Sequence, residues 1–124
     1  MTMKNKLKIL IVEDEIFTAK SLKMDLENLG MTVLQPVAKG EDAIEIALKE
    51  EPSLIFMDIR LAGGLDGIEV VEQIHLNKKI PVLFMSGYAT EYIQERARKV
   101  DYLAFIEKPV SVSTIKKILE TFDN

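Results

Sequence analysis

The sequence predicts an α/β domain of the doubly wound kind, a parallel sheet with helices packed against both faces. Three observations predict it. Short apolar runs alternate with stretches of helical spacing five times along the 124 residues, the pattern of strand–helix units joined by right-handed crossovers. The middle run, Ser53-Leu54-Ile55-Phe56-Met57-Asp58, holds four apolar residues without a polar break, as expected of a strand covered on both sides. Polar and acidic residues gather directly after these runs, at the carboxyl ends where open α/β sheets bind ligands.

Leu7 to Val12 is the first strand, apolar after Lys8, and it runs into Glu13-Asp14-Glu15. From Ile16 the spacing turns helical: Ile16, Ala19, Leu22, Leu26 and Leu29 share one stripe, and Gly30 is a good stop. Thr32 to Val37 is a second strand, weakened by Pro36, which suits an edge or a strand end. Gly40 to Glu50 is helical, with Ala43, Ile44, Ala47 and Leu48 inward, and Pro52 ends it before the central strand. The loop Ile59 to Leu65 contains Gly63-Gly64; Asp66, with Glu69 three residues on, makes a capping box for a helix from Gly67 to Leu76. Pro81 to Met85 is the fourth strand and ends at Ser86-Gly87. Ala89 to Lys99 is a polar, Arg-rich helix with a thin stripe of Ala89, Ile93, Ala97 and Val100. Tyr102 to Ile106 is the fifth strand, ending at Glu107-Lys108-Pro109, and Val112 to Phe122 is an amphipathic helix capped by Ser111. Five such units build a flavodoxin-like (βα)5 domain, most simply with strand order 2-1-3-4-5. Residues 1–124 are expected to form this one domain, with its core at about 7–122.

Composition narrows the chemistry. With no cysteine, a disulfide framework and a thiolate metal site are excluded. The single histidine, His75, rules against an imidazole zinc site and is expected on the surface late in its helix. A net charge of −4 with interspersed signs argues against direct nucleic-acid binding. No apolar run approaches the roughly 18 residues of a membrane span, and the basic start lacks a signal-peptide apolar region. A cytoplasmic domain with no membrane insertion is expected.

Four strands each deliver polar groups at the carboxyl edge: Glu13 and Asp14, Asp58, Ser86, and Lys108. In the 2-1-3-4-5 order the first and third strands meet at the topological switch point, so Asp14 and Asp58 should face one another. Two carboxylates about 4 Å apart repel by roughly 4 kcal/mol at an effective dielectric of 20. A bound cation, the Lys108 ammonium, or both must offset that. Oxygen ligands without histidine or cysteine select a hard cation such as Mg2+. Metal, carboxylate nucleophile, lysine and hydroxyl around one point fit phosphoryl transfer to Asp58.

At these residues the chain resembles the receiver domain of two-component response regulators. The carriers are Ile11-Val12-Glu13-Asp14-Glu15, Phe56-Met57-Asp58-Ile59, Leu65-Asp66-Gly67-Ile68-Glu69, Pro81-Val82-Leu83-Phe84-Met85-Ser86-Gly87 and Glu107-Lys108-Pro109. The resemblance implies that Asp58 accepts phosphoryl from the phosphohistidine of a sensor histidine kinase or a histidine phosphotransfer protein. It implies that Glu13, Asp14 and Asp58 hold Mg2+ with the backbone carbonyl of Arg60. Lys108 would bind the phosphoryl oxygens, with a cis bond to Pro109. Ser86 would be the switch hydroxyl and Phe105 the aromatic that swings inward, although an aromatic in a strand is ordinarily static core. The output would be a changed protein-binding surface on the fourth helix, fifth strand and fifth helix, read by a downstream protein target. Such a protein is a regulator, not a turnover enzyme: it charges itself from small phosphodonors and discharges itself. A monomer or a weak phosphorylation-linked dimer is expected, with no effector domain in this chain.

The chain departs from the family in two places. The loop Arg60-Leu61-Ala62-Gly63-Gly64-Leu65-Asp66-Gly67 is one residue longer than usual and lacks the family's proline. Phe105 replaces the commoner tyrosine. Arg60 and Tyr88 stand at the two positions that tune phosphoryl hydrolysis in the family, and are expected to shield the group and lengthen its lifetime. The Arg96, Arg98 and Lys99 cluster reads as a solvated face. Of the competing functions, a Mg2+-dependent aspartyl phosphohydrolase would need a second acid where Arg60 stands. A flavin carrier would need a hydroxyl-rich phosphate loop where Glu13-Asp14-Glu15 stands. A receiver degenerated to a fixed scaffold is opposed by the complete acid set.

Overall fold

The computed structural model describes residues 7–123; the basic start, Met1 to Lys6, and Asn124 lie outside the described residues. The elements are β1 (Lys8–Val12), α1 (Ile16–Asn28), β2 (Thr32–Val33), α2 (Gly40–Glu50), β3 (Leu54–Asp58), α3 (Gly67–His75), β4 (Val82–Ser86), α4 (Glu91–Ala97), β5 (Ala104–Glu107) and α5 (Val112–Asp123). All pairings are parallel and the sheet order is β2-β1-β3-β4-β5, the order expected.

The period-2 alternation of the strands divides the core between the two faces. Leu10, Val12, Ile55, Met57, Val82 and Phe84 pack toward α2, α3 and α4, against Ala43, Ala47, Val70, Val71, Ile74 and Ala97. Ile9, Ile11, Leu54, Phe56, Leu83, Met85 and Ile106 pack toward α1 and α5, against Ala19, Leu22, Leu26, Ile115 and Leu119. Every residue of β3 is buried. At roughly 1.5–3 kcal/mol per large apolar side chain, this strand alone anchors both layers and fixes the position of the carboxylate at its end.

Several boundaries move for identifiable reasons. β2 is two residues rather than six, because Pro36 brings no N–H to the ladder; contact with β1 resumes only at the Val12–Val37 bridge. α4 begins at Glu91, two residues later than expected, because the Thr90 side chain accepts the Ile93 N–H and caps it there. β5 starts at Ala104, not Tyr102. Ile16, placed on the inward stripe of α1, is 64% exposed; it stands at the helix start, beyond the sheet rim that ends at Val12. Gly30 adopts φ 97° after α1, a left-handed conformation that suits glycine. His75 is half-buried rather than on the surface, with Nε2 2.9 Å from the Ile80 carbonyl.

Among the described residues, no helix is long and apolar enough to cross a membrane.

Candidate functional site

β1, β3, β4 and β5 end at one rim, and each brings its polar group there. Asp58 closes β3 with only 4% of its surface exposed; Glu13, one residue past β1, is 3% exposed. Two buried carboxylates need a counter-charge, and Lys108 supplies it: its Nζ donates to Glu13 Oε1 at 2.7 Å and lies 3.0 Å from Asp58 Oδ2. Burial opposes the charge on Lys108, but its bonds to Glu13 and Asp58 outweigh that and raise its pKa above the ordinary 10.5. The ammonium is therefore fully charged at neutral pH.

Glu13 is pinned from its other side, its Oε2 accepting the Glu15 N–H at 3.0 Å. Glu15 in turn caps α1 through a bond from the Phe17 N–H. The three acids after β1 thus divide their tasks: Glu13 faces the lysine, Glu15 starts the helix, and Asp14 stays exposed beside the rim. One oxygen each from Glu13, Asp14 and Asp58 lies within 4.8 Å of the others. An all-oxygen set partly open to water fits a hard divalent cation that keeps several of its waters, and fits zinc or copper poorly.

α3 is seated directly on the end of β3. Gly67 donates to the Ile59 carbonyl at 2.7 Å, and a Cβ at this position would lie 2.2 Å from the Asp58 carbonyl oxygen. Only glycine lets the helix come this close. Asp66 and Glu69 form the expected capping box, each side chain accepting the other's backbone N–H at 2.9 Å.

Ser86 ends β4 with 5% exposure, one residue beyond Met85, the residue paired with Asp58. Its hydroxyl accepts the Tyr88 N–H at 3.1 Å, so it is engaged by its own loop. The Lys108 N–H donates to the Ser86 carbonyl at 2.8 Å, and the Lys108–Pro109 bond is cis, as expected. Phe105 is half-buried, with its ring 6.2 Å from those of Phe84 and Tyr102. Arg60 and Tyr88 are exposed and meet: the guanidinium lies 5.1 Å above the tyrosine ring.

Sequence patterns missed one contact at this end of the molecule. Arg96, read as part of a solvated basic face, makes a two-pronged bond to Asp66, at 2.6 and 3.1 Å. Partners thirty residues apart leave no local spacing to read. Arg98 does face solvent, paired with Glu95. Beside Lys108, a cleft of about 500 Å3 opens between α1 and the β5–α5 connection, lined by Phe17, Leu22, Pro109 and Val110 among others.

A model of the response regulator receiver domain matches residues 9–120. The transcriptional regulatory protein PdtaR of Mycobacterium tuberculosis is 27% identical over 113 residues, covering 91% of this chain and 55% of that protein. The chain thus spans about half the length of that relative. The signal receiver domain of a modulated diguanylate cyclase from Desulfovibrio desulfuricans superposes with a TM-score of 0.86 at 31% identity, covering 93% of this chain and 91% of that one. The receiver domain of the sensor histidine kinase PA1611 from Pseudomonas aeruginosa, at 25% identity and TM-score 0.85, covers 95% of this chain and 98% of that one. Its crystal structure has a magnesium ion coordinated in the active site cleft.

Proposed function

The chain belongs to the response regulator receiver domain family and so serves phosphorylation-dependent signalling, and on that premise we propose that Asp58 is its phosphoacceptor. An Asp58 carboxylate oxygen attacks the phosphorus of a phosphohistidine on a sensor kinase or phosphotransfer protein. The new P–O bond forms as the P–N bond breaks, and the donor imidazole leaves with the bonding pair. Glu13, Asp14, Asp58 and the Arg60 carbonyl would hold Mg2+, which when bound neutralises charge on the phosphoryl oxygens. Lys108 shifts from its carboxylate partners to those oxygens. Ser86 exchanges the Tyr88 N–H for the phosphoryl group, and Phe105 follows into the space beneath. The α4–β5–α5 surface changes with them and is read by a downstream protein. The regulator acts in the cytoplasm as a monomer or a weak phosphorylation-linked dimer, and this receiver unit does not itself contact nucleic acid.

The observation that carries this reading is the Lys108 ammonium held between Glu13 and Asp58 within a cluster of three carboxylates. That is a preformed counter-charge where a dianionic phosphoryl group must dock. The adjoining cleft with its exposed Phe17 gives a donor helix an apolar seat beside Lys108.

Intact mass after incubation with acetyl phosphate tests it, with and without Mg2+, for wild type and Asp58→Asn. A Mg2+-dependent phosphoryl adduct on the wild type, lost in the variant, is expected. An adduct that persists in Asp58→Asn overturns the assignment.

A further inference from the structure

α4 is the most thinly attached helix of the domain. It is seven residues long, and of these only Ala97 is buried. Its last turn is tied to the body by the buried Ala97 and by Arg96, whose Nη1 and Nη2 donate to Asp66 Oδ2 and Oδ1. Asp66 is a fixed post: its carboxylate also takes the Glu69 N–H, and its backbone N–H is held by Glu69. The next residue, Gly67, rests on the carbonyl of Asp58. The Arg96 guanidinium is further steadied by the Tyr92 ring, 5.9 Å away.

The segment from Ser86 to Ala97 is therefore held at both ends. At its start, the Ser86 hydroxyl accepts the Tyr88 N–H; at its far end, Arg96 grips Asp66. If Ser86 turns to a phosphoryl group, Tyr88 loses its acceptor and the connection to α4 must shift. The far-end bond opposes that shift.

We propose that the Asp66–Arg96 ion pair is a latch that holds α4 in the unswitched arrangement and so raises the cost of charging Asp58. The inference rests on the reading of Asp58 as acceptor and Ser86 as switch hydroxyl. By linkage, a contact made in one state only weakens binding of whatever favours the other state. The pair is two-pronged and about three-quarters buried, with side-chain exposures of 25% and 29%, and so outweighs an open surface pair.

The test is titration with beryllofluoride, a phosphoryl mimic, in Mg2+ buffer, followed calorimetrically for wild type, Arg96→Gln, Asp66→Asn and the double variant. Asparagine still caps α3, so Asp66→Asn removes the charge and keeps the helix start. Each single variant is expected to bind about five- to tenfold more tightly, the low end of typical coupling, and the double variant no more tightly than either. Arg96→Lys, which keeps the charge without the fork, falls between. Amide exchange in the unliganded Arg96→Gln protein should quicken over residues 91–97 while α3 stays protected. Wild-type affinity in Arg96→Gln, weaker binding there, or additive single effects would overturn the latch alone. No beryllofluoride binding by the wild type would overturn the acceptor reading and the latch with it.

Discussion

Replacing Gly67 by alanine tests whether the contact between α3 and the end of β3 positions the acceptor. The added Cβ meets the peptide that joins Asp58 to Ile59: the Asp58 carbonyl oxygen at 2.2 Å, the Ile59 Cα at 2.9 Å and the Asp58 carbonyl carbon at 3.0 Å. Ordinary contact begins at 3.4 Å, so helix and strand must part by about 1.2 Å at the closest pair, and no flexible side chain can absorb it. Overpacking of this kind costs about 1–3 kcal/mol. The Gly67 N–H to Ile59 carbonyl bond, 2.7 Å long, weakens for about 1 kcal/mol more. Alanine's better helix propensity returns up to about 1 kcal/mol. The net is about 1–3 kcal/mol, or roughly 4–12 °C in Tm for a domain of this size. Thermal unfolding followed by circular dichroism measures it, with Gly64→Ala as control: a Cβ there meets nothing within 4 Å, and a change within about 0.5 kcal/mol is expected. Mg2+ affinity should fall in Gly67→Ala and hold in Gly64→Ala. A Gly67→Ala protein with Tm within about 2 °C of wild type and unchanged Mg2+ affinity would refute the positioning role.

Lys108→Met leaves Glu13 and Asp58 buried without their counter-charge, and stability in chelator should fall by about 3–5 kcal/mol in urea unfolding. Added Mg2+ should recover more stability in this variant than in wild type. Because folding raises the Lys108 pKa above 10.5, the stability it contributes is present at neutral pH and disappears as the pH climbs through the folded value; a stability gap that stays open as the pH climbs through that range would contradict the assignment. For the lid formed by Arg60 and Tyr88, a cation–π contact of about 0.5–1 kcal/mol corresponds to about two- to fivefold faster loss of the phosphoryl group in Arg60→Ala or Tyr88→Ala. The double variant should be no faster than the quicker single one, and rates equal to wild type would sink the shielding role.

The fold was legible because its signals are local. β3 shows as an unbroken apolar run, α3 as a capping box, and the ends of α1 and α2 as Gly30 and Pro52. The sheet order followed from the strand–helix alternation, and that order alone brought Asp58 beside Glu13 and Asp14. What stayed hidden depends on tertiary approach. Nothing near Arg96 signals Asp66, and the spacing that puts Ile16 on the α1 stripe does not show whether the other layer reaches it. The half-buried His75 likewise takes its partner, Ile80, from the turn after its helix rather than from its own periodicity.

The longer loop after Asp58 is clamped at both ends of its irregular part. Ile59 donates to Met85 and accepts from Gly67, while Ala62 bridges to Lys39 ahead of α2. Gly63, at φ 96°, turns the chain away from that bridge. Changes in length between these clamps are therefore insulated from the acceptor and expressed only at the entrance. That makes residues 61–65, which leave out Arg60 and Asp66, a natural place for paralogues to diverge in which donor they admit, and a workable place to graft a new specificity without retuning the chemistry beneath it.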